Sequence, residues 1–147
     1  MKSLKMLPLW VYVAWFFAMV PLAMLPLFDV DEGAFSEATR EMVASGNYIT
    51  TYLYHVPRFD KPVAIYWLQT LSSFIFGMNT FAMRFPSVCA AGVWLYVMYK
   101  FVTKYYNASV ADISALLFLG SVQIHVISKC ATADALLNMC LAVSILS

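Results

Sequence analysis

Three groups of charged residues in this chain have types and spacings that chemistry can use. The first is Asp31-Glu32, two adjacent acids at the head of a segment that ends at Gly46. A carboxylate at a helix start serves as an N-cap or as a first-turn acid that complements the helix dipole. Beside a membrane-surface cleft it can also accept a proton from a hydroxyl or hold a cation. The second group is Pro57-Arg58-Phe59-Asp60-Lys61-Pro62. Two prolines restrict the backbone around three charges. Arg58 as a planar fork and Lys61 as a point charge suit a phosphate, and Asp60 offers carboxylate oxygens to a divalent ion. A solvated turn with a local ion pair is the plainer reading of the same residues. The third is Asp134, an acid inside an apolar run and therefore a functional candidate by default. Lys129, five residues earlier, stands where it could neutralise that acid instead. His125 is read as bonding a neighbouring helix, and Asp112 as a solvated residue near a helix end.

The elements that hold these residues follow from composition. Of 147 residues 63% are hydrophobic and only 12% charged, against about 45–50% and about 25% in soluble domains. A soluble fold of this size leaves roughly a third of its unfolded surface wet, so lipid is the natural solvent for this chain. Nucleic acid is excluded as a partner, because no basic stripe exists and the aromatics sit among aliphatics. Cys89, Cys130 and Cys140 lie in apolar stretches without a CxxC pair and read as packing residues.

Met6–Phe28 is a nearly uncharged run of 23 residues, enough to cross a bilayer. Lys2 and Lys5 precede it and Asp29, Asp31 and Glu32 follow, which puts the N-terminus in the cytoplasm. The run is too long for a signal-peptide core. Nine of the chain's 17 formal charges then fall between Asp29 and Lys61, and each would cost about 2.5–3.5 kcal/mol at a bilayer centre. This loop, residues 29–80, is expected to be extracytoplasmic. Within it, 32–45 reads as an amphipathic surface helix, with Asp31 as its cap, Phe35, Ala38 and Met42 turned toward lipid, and Gly46 as its stop. Tyr48, Tyr52 and Tyr54 suit an interfacial aromatic belt.

Residues 62–77 are short for a span. Were they to cross, Lys100 and Lys104 would face outward, against the positive-inside rule. We therefore expect a second surface helix there, spans near 81–99 and 108–128, and a fourth, cut short, at 131–147. Arg84 snorkels to the interface in this arrangement. Asp134 emerges on the same side as Asp31, and Asn107-Ala108-Ser109 is cytoplasmic and unavailable for N-glycosylation. The expected fold class is an all-α polytopic transmembrane protein of the plasma (inner) membrane, with 1–147 forming part of one membrane domain.

The order and spacing of Asp31-Glu32-Gly33, Ser36-Glu37, Arg40-Glu41-Met42, Ser45-Gly46-Asn47-Tyr48, Arg58-Phe59-Asp60-Lys61-Pro62 and Tyr66-Trp67 resemble the first extracytoplasmic loop of the aminoarabinose transferase and protein O-mannosyltransferase superfamily. Ala131-Thr132-Ala133-Asp134-Ala135-Leu136-Leu137 resembles that family's second acidic motif. The resemblance implies a GT-C glycosyltransferase fragment using a polyprenyl-phosphate-linked sugar as donor. It implies that Asp31 is the catalytic aspartate, Asp134 the second acid and Lys61 a contact to the lipid phosphate. Asp60 falls where the aminoarabinose branch commonly has a metal-site Glu, so a divalent ion is a candidate cofactor, with Asp60 and Glu32 as candidate ligands. Arg58 joins the phosphate group on its chemistry alone. Family members are several times longer, so the 147-residue chain is expected to be inactive by itself. A non-catalytic accessory membrane protein and a transporter-like protein with a Lys129–Asp134 midplane pair are the rival readings.

Overall fold

The computed structural model describes residues 8, 10–11, 13–15, 27, 30–59 and 61–146. Most of the expected first span over 7–28 lies outside the described residues, as does Asp60. The described elements are α1 (Val30–Ser45), β1 (Tyr52–Leu53), β2 (Val56–Pro57), α2 (Ala64–Phe76), α3 (Thr80–Tyr105), α4 (Ala108–Gly120), α5 (Val122–Lys129) and α6 (Asp134–Leu146). The helical reading holds, with one short hairpin added. α3 is the hub, against which α2, α4, α5 and α6 all pack.

Local chemistry sets the boundaries. α1 stops where Gly46 adopts φ +70° and its N–H reaches the Met42 carbonyl at 3.1 Å, a left-handed stop that a Cβ would strain. Asn79 and Asn107 cap α3 and α4, each accepting a backbone N–H at 2.9 Å, from Ala82 and Val110. Helix α1 begins at Val30, so Asp31 is a first-turn acid and not the expected cap.

β1 and β2 pair antiparallel around Tyr54 and His55, both at positive φ (52° and 64°). Such turns are flagged in sequence by Asn-Gly or Asp-Gly, and here bulky residues fill both places. Glu41 is buried. Its Oε2 accepts the His55 N–H at 3.2 Å, which fastens the strained turn to α1.

α3 is the one described helix long and apolar enough to cross a membrane; its 26 residues extend roughly 39 Å. The expected span over 108–128 is broken: α4 and α5 meet at Gly120–Ser121 with a bend of 64°. Arg84 does not snorkel. It is 2% exposed, and its Nε and Nη2 donate to Glu32 Oε1 and Oε2 at 2.9 and 2.8 Å. The Ala131 N–H donates to the same Glu32 Oε1 at 2.7 Å. A second buried group, Gln69, accepts the Thr39 hydroxyl at 2.7 Å and donates to the carbonyls of Met83 and Ala131, both at 3.1 Å. Thus α1, α2, α3 and the 130–133 turn are joined through polar side chains.

This inverts α2. It buries Gln69, Thr70, Ser72 and Ser73 and exposes Trp67, Leu68, Leu71, Phe74 and Ile75. The apolar face of α1 is likewise covered by protein rather than turned outward: Phe35, Ala38 and Met42 pack on Ile65 and Tyr66. A second cluster joins Val11, Leu95, Tyr99, Ala111, Ala115 and Phe118. There Asp112 accepts the Tyr99 hydroxyl at 3.0 Å, a partner the solvated reading did not foresee.

Removing one member of a buried ion pair strands the other charge, at about 3–5 kcal/mol. Arg84→Leu should therefore lower the melting temperature in detergent sharply, and Glu32→Leu combined with Arg84→Leu should recover much of the loss. A double variant that melts no higher than either single variant would contradict this account.

Candidate functional site

Asp31 and Phe35 lie four residues apart in α1, on one face of the helix. Asp31 is exposed and Phe35 is buried. The Phe35 ring stacks on Tyr66 of α2, with centroids 5.4 Å apart and planes 25° apart. Both candidate phosphate-binding cations come to this ring: Arg58 Cζ is 5.6 Å and Lys61 Nζ 5.8 Å from its centroid. They arrive from the segment leaving the hairpin. The Arg58 N–H donates to the Thr51 carbonyl at 2.8 Å, and the Thr51 hydroxyl donates back to the Arg58 carbonyl. Lys61 makes no ion pair among the described residues.

Asp134 opens α6, and its Oδ2 accepts the Thr132 hydroxyl at 2.9 Å. The turn before it is held at three points. Glu32 takes the Ala131 N–H, Gln69 takes its carbonyl, and Ser87 Oγ donates to the Thr132 carbonyl at 3.2 Å. Ala133 and Leu136 pack against the Phe35–Tyr66 cluster. Asp134 lies between these two residues in the chain, and it is exposed. Lys129 does not neutralise it: no ion pair links the two residues. The transporter-like reading loses its central contact.

Two of the six sequence candidates, Arg58 and Lys61, thus meet at the Phe35 ring; Asp31 lies one turn from Phe35 in α1, and Asp134 opens the helix whose Leu136 packs on the same cluster. Glu32 is corrected from cation ligand to structural anchor, because both its carboxylate oxygens are engaged by Arg84 and Ala131. Asp60 lies outside the described residues. Among those described, no three His, Cys, Asp or Glu side chains converge to hold a metal ion, and no step is routed through one. Sequence reasoning missed Arg84, Gln69 and Phe35 as determinants of the site. An arginine and a glutamine in apolar segments were the available signals for the first two.

A second polar group lies further along α1. Arg40 chelates Glu37 through Nε and Nη2 at 2.9 and 2.6 Å. The hydrogen-bonded guanidinium holds the Glu37 carboxyl below its usual pKa, and the Glu37 carboxylate in turn pushes that of Arg40 up. Arg40 also lines a pocket with Glu41, Asn47, Tyr52 and His55. His125 bonds across the α4–α5 bend, its Nε2 lying 2.5 Å from the Leu119 carbonyl.

Gln69→Leu should remove the side-chain donor from the buried Ala131 and Met83 carbonyls and leave the Thr39 hydroxyl with the Phe35 carbonyl alone. The expected loss is about 1–3 kcal/mol for each buried group left unpaired, together with faster exchange of amides in the 130–133 turn. Hydrogen-exchange mass spectrometry checks this, and unchanged protection there would refute the anchoring role.

A family model described as dolichyl-phosphate-mannose-protein mannosyltransferase matches residues 60–147. The undecaprenyl phosphate-alpha-4-amino-4-deoxy-L-arabinose arabinosyl transferase of Serratia proteamaculans is 33% identical over 152 residues, covering 100% of this chain and 27% of that protein. Its counterpart in Aeromonas hydrophila is 29% identical over 133 residues, covering 90% and 24%. The crystal structure of ArnT from Cupriavidus metallidurans bound to undecaprenyl phosphate superposes with a TM-score of 0.85 at 26% identity, over 91% of this chain and 25% of that one. The chain thus spans about a quarter of the length of these relatives. The resemblance read from the loop motifs stands, and the match over more than half its length establishes that this chain belongs to the dolichyl-phosphate-mannose-protein mannosyltransferase family.

Proposed function

We propose that this chain forms part of the membrane domain of an inverting glycosyltransferase. The enzyme would move a sugar from a polyprenyl-phosphate donor to a lipid, glycan or protein acceptor at the extracytoplasmic face of the plasma (inner) membrane. The observation that carries the reading is the grouping of an exposed acid with two cations. Asp31 stands one helical turn from Phe35, over whose ring the Arg58 and Lys61 charges lie. The names of the relatives support a transferase that uses a polyprenyl phosphate sugar, and the solved ArnT structure was obtained with undecaprenyl phosphate.

In the reaction the acceptor oxygen forms a bond to the anomeric carbon, while the carbon–oxygen bond to the lipid phosphate breaks. Its electron pair leaves on the phosphate. Asp31 takes the acceptor proton or orients the acceptor. Arg58 and Lys61 offset the charge that develops on the departing phosphate. Asp134, held by Thr132 at the head of α6, supplies a second carboxylate to the acceptor side.

In this reading α3 and the bent α4–α5 pair cross the membrane, the N-terminus is cytoplasmic, and α1, the hairpin and α2 lie outside. The outward apolar faces of α2 and α6 support lipid contact, since exposed Leu and Ile side chains in that number are unfavourable in water.

Asp31→Asn in the full-length protein should lower kcat by about 10²–10⁴-fold with membrane insertion unchanged; wild-type turnover would overturn the assignment. Cysteines introduced by Asp31→Cys and Asp134→Cys should both react with a membrane-impermeant maleimide from the extracytoplasmic side, and labelling from opposite sides would refute the topology. The 147-residue chain alone should give no transfer from a polyprenyl-phosphate sugar.

A further inference from the structure

Helix α2 buries Gln69, Thr70, Ser72 and Ser73, and three of the four have partners. Gln69 bonds Thr39, Met83 and Ala131. The Thr70 hydroxyl reaches Met42 Sδ at 3.8 Å, and the Ser73 hydroxyl donates to the Thr70 carbonyl at 2.8 Å. Ser72 is the exception. It is 4% exposed, and its hydroxyl has no hydrogen-bond partner among the described residues. A hydroxyl taken out of water is unfavourable until it finds one.

Beside Ser72 lies a groove of about 310 Å³ between α2, α3 and α6. Leu71 and Ile75 of α2, Phe85, Cys89 and Val93 of α3 and Met139 of α6 wall it, and Ser72 is its one hydroxyl. The groove opens on the apolar exterior of α2, where Leu71 and Ile75 are exposed. From Phe85 to Val93 it follows α3 for roughly 12 Å, starting in the second turn of that helix. An apolar wall with one placed polar group orients an amphiphile. The hydroxyl needs an acceptor, and occupants differ in whether they bring one. A polyprenyl chain is hydrocarbon and brings none. A membrane-spanning helix has its carbonyls engaged by its own N–H groups. A glycerophospholipid carries ester carbonyls between headgroup and chains, at the interfacial depth where α2 is placed above.

We propose that this groove binds an acyl chain of a glycerophospholipid, with the Ser72 hydroxyl donating to its ester carbonyl. This rests on the membrane placement proposed above for α2 and α3. For the test, the full-length protein is delipidated in detergent. It is then titrated with a diacyl phosphatidylglycerol and with the diether analogue, which has the same headgroup and chain lengths but no carbonyls. Native mass spectrometry should give a dissociation constant about tenfold lower for the diester. Ser72→Ala should bind both lipids as wild type binds the diether, and without lipid it should melt no lower than wild type. Equal affinity of wild type for the two lipids, the result expected if a polyprenyl tail or another helix fills the groove, overturns the proposal. So does a preference that survives in Ser72→Ala. A lower melting temperature of that variant without lipid also overturns it, because the hydroxyl would then serve the fold. A nitroxide attached through Leu71→Cys separates these failures from a wrong membrane placement. It should be relaxed more by oxygen than by a water-soluble nickel complex. The reverse would put the groove in water and remove the reading on which the proposal rests.

Discussion

The buried pair between Glu32 and Arg84 is the constraint on which the remaining geometry depends. Arg84 lies in the second turn of α3, and Glu32 lies in the first turn of α1, 52 residues earlier. Either charge alone would be expensive in that interior. Two hydrogen bonds from the guanidinium and a third from the Ala131 N–H engage the Glu32 carboxylate. One carboxylate therefore joins the start of α1, the early turns of α3 and the turn leading into α6. Gln69 repeats the device one layer away, binding Thr39 of α1, Met83 of α3 and again Ala131.

A consequence is that adjacent residues acquire opposite roles. Glu32 is fully buried and structural, whereas Asp31 is exposed. Anchoring one acid fixes the direction of the next along the helix, since neighbouring side chains diverge by about 100°. Ala131 and Asp134 stand in a similar relation. The backbone of the first is tied on both sides, and the second opens the helix that follows. The start of α1 and the turn before α6 are thus joined by one buried carboxylate, although Glu32 and Ala131 are 99 residues apart in the chain.

Helix α2 carries its polar and apolar residues in the reverse of the arrangement expected for a helix facing water. Its polar residues turn inward to the network and its large apolar residues turn outward. In water that arrangement would be unstable, whereas in lipid it satisfies both the buried polar groups and the apolar exterior. The 64° bend between α4 and α5 has a related cause. The chain is freed at Gly120–Ser121, and His125 bonds a carbonyl released by the break.

The helical class, the apolar solvent, the stop at Gly46, and the candidacy of Asp31, Arg58, Lys61 and Asp134 were legible in the sequence, because composition, spacing and charge are local properties. Family membership was legible for a related reason: the loop motif is a pattern of order and distance along the chain. The partner of Arg84, the anchoring role of Glu32, the inversion of α2 and the gathering of two cations on Phe35 were not. Each is decided by which side chain meets a residue distant in the sequence. A buried charge must find its partner somewhere, but periodicity and composition do not say where. That is why Arg84 read as a snorkelling residue and Glu32 as a cation ligand until tertiary packing brought the two together.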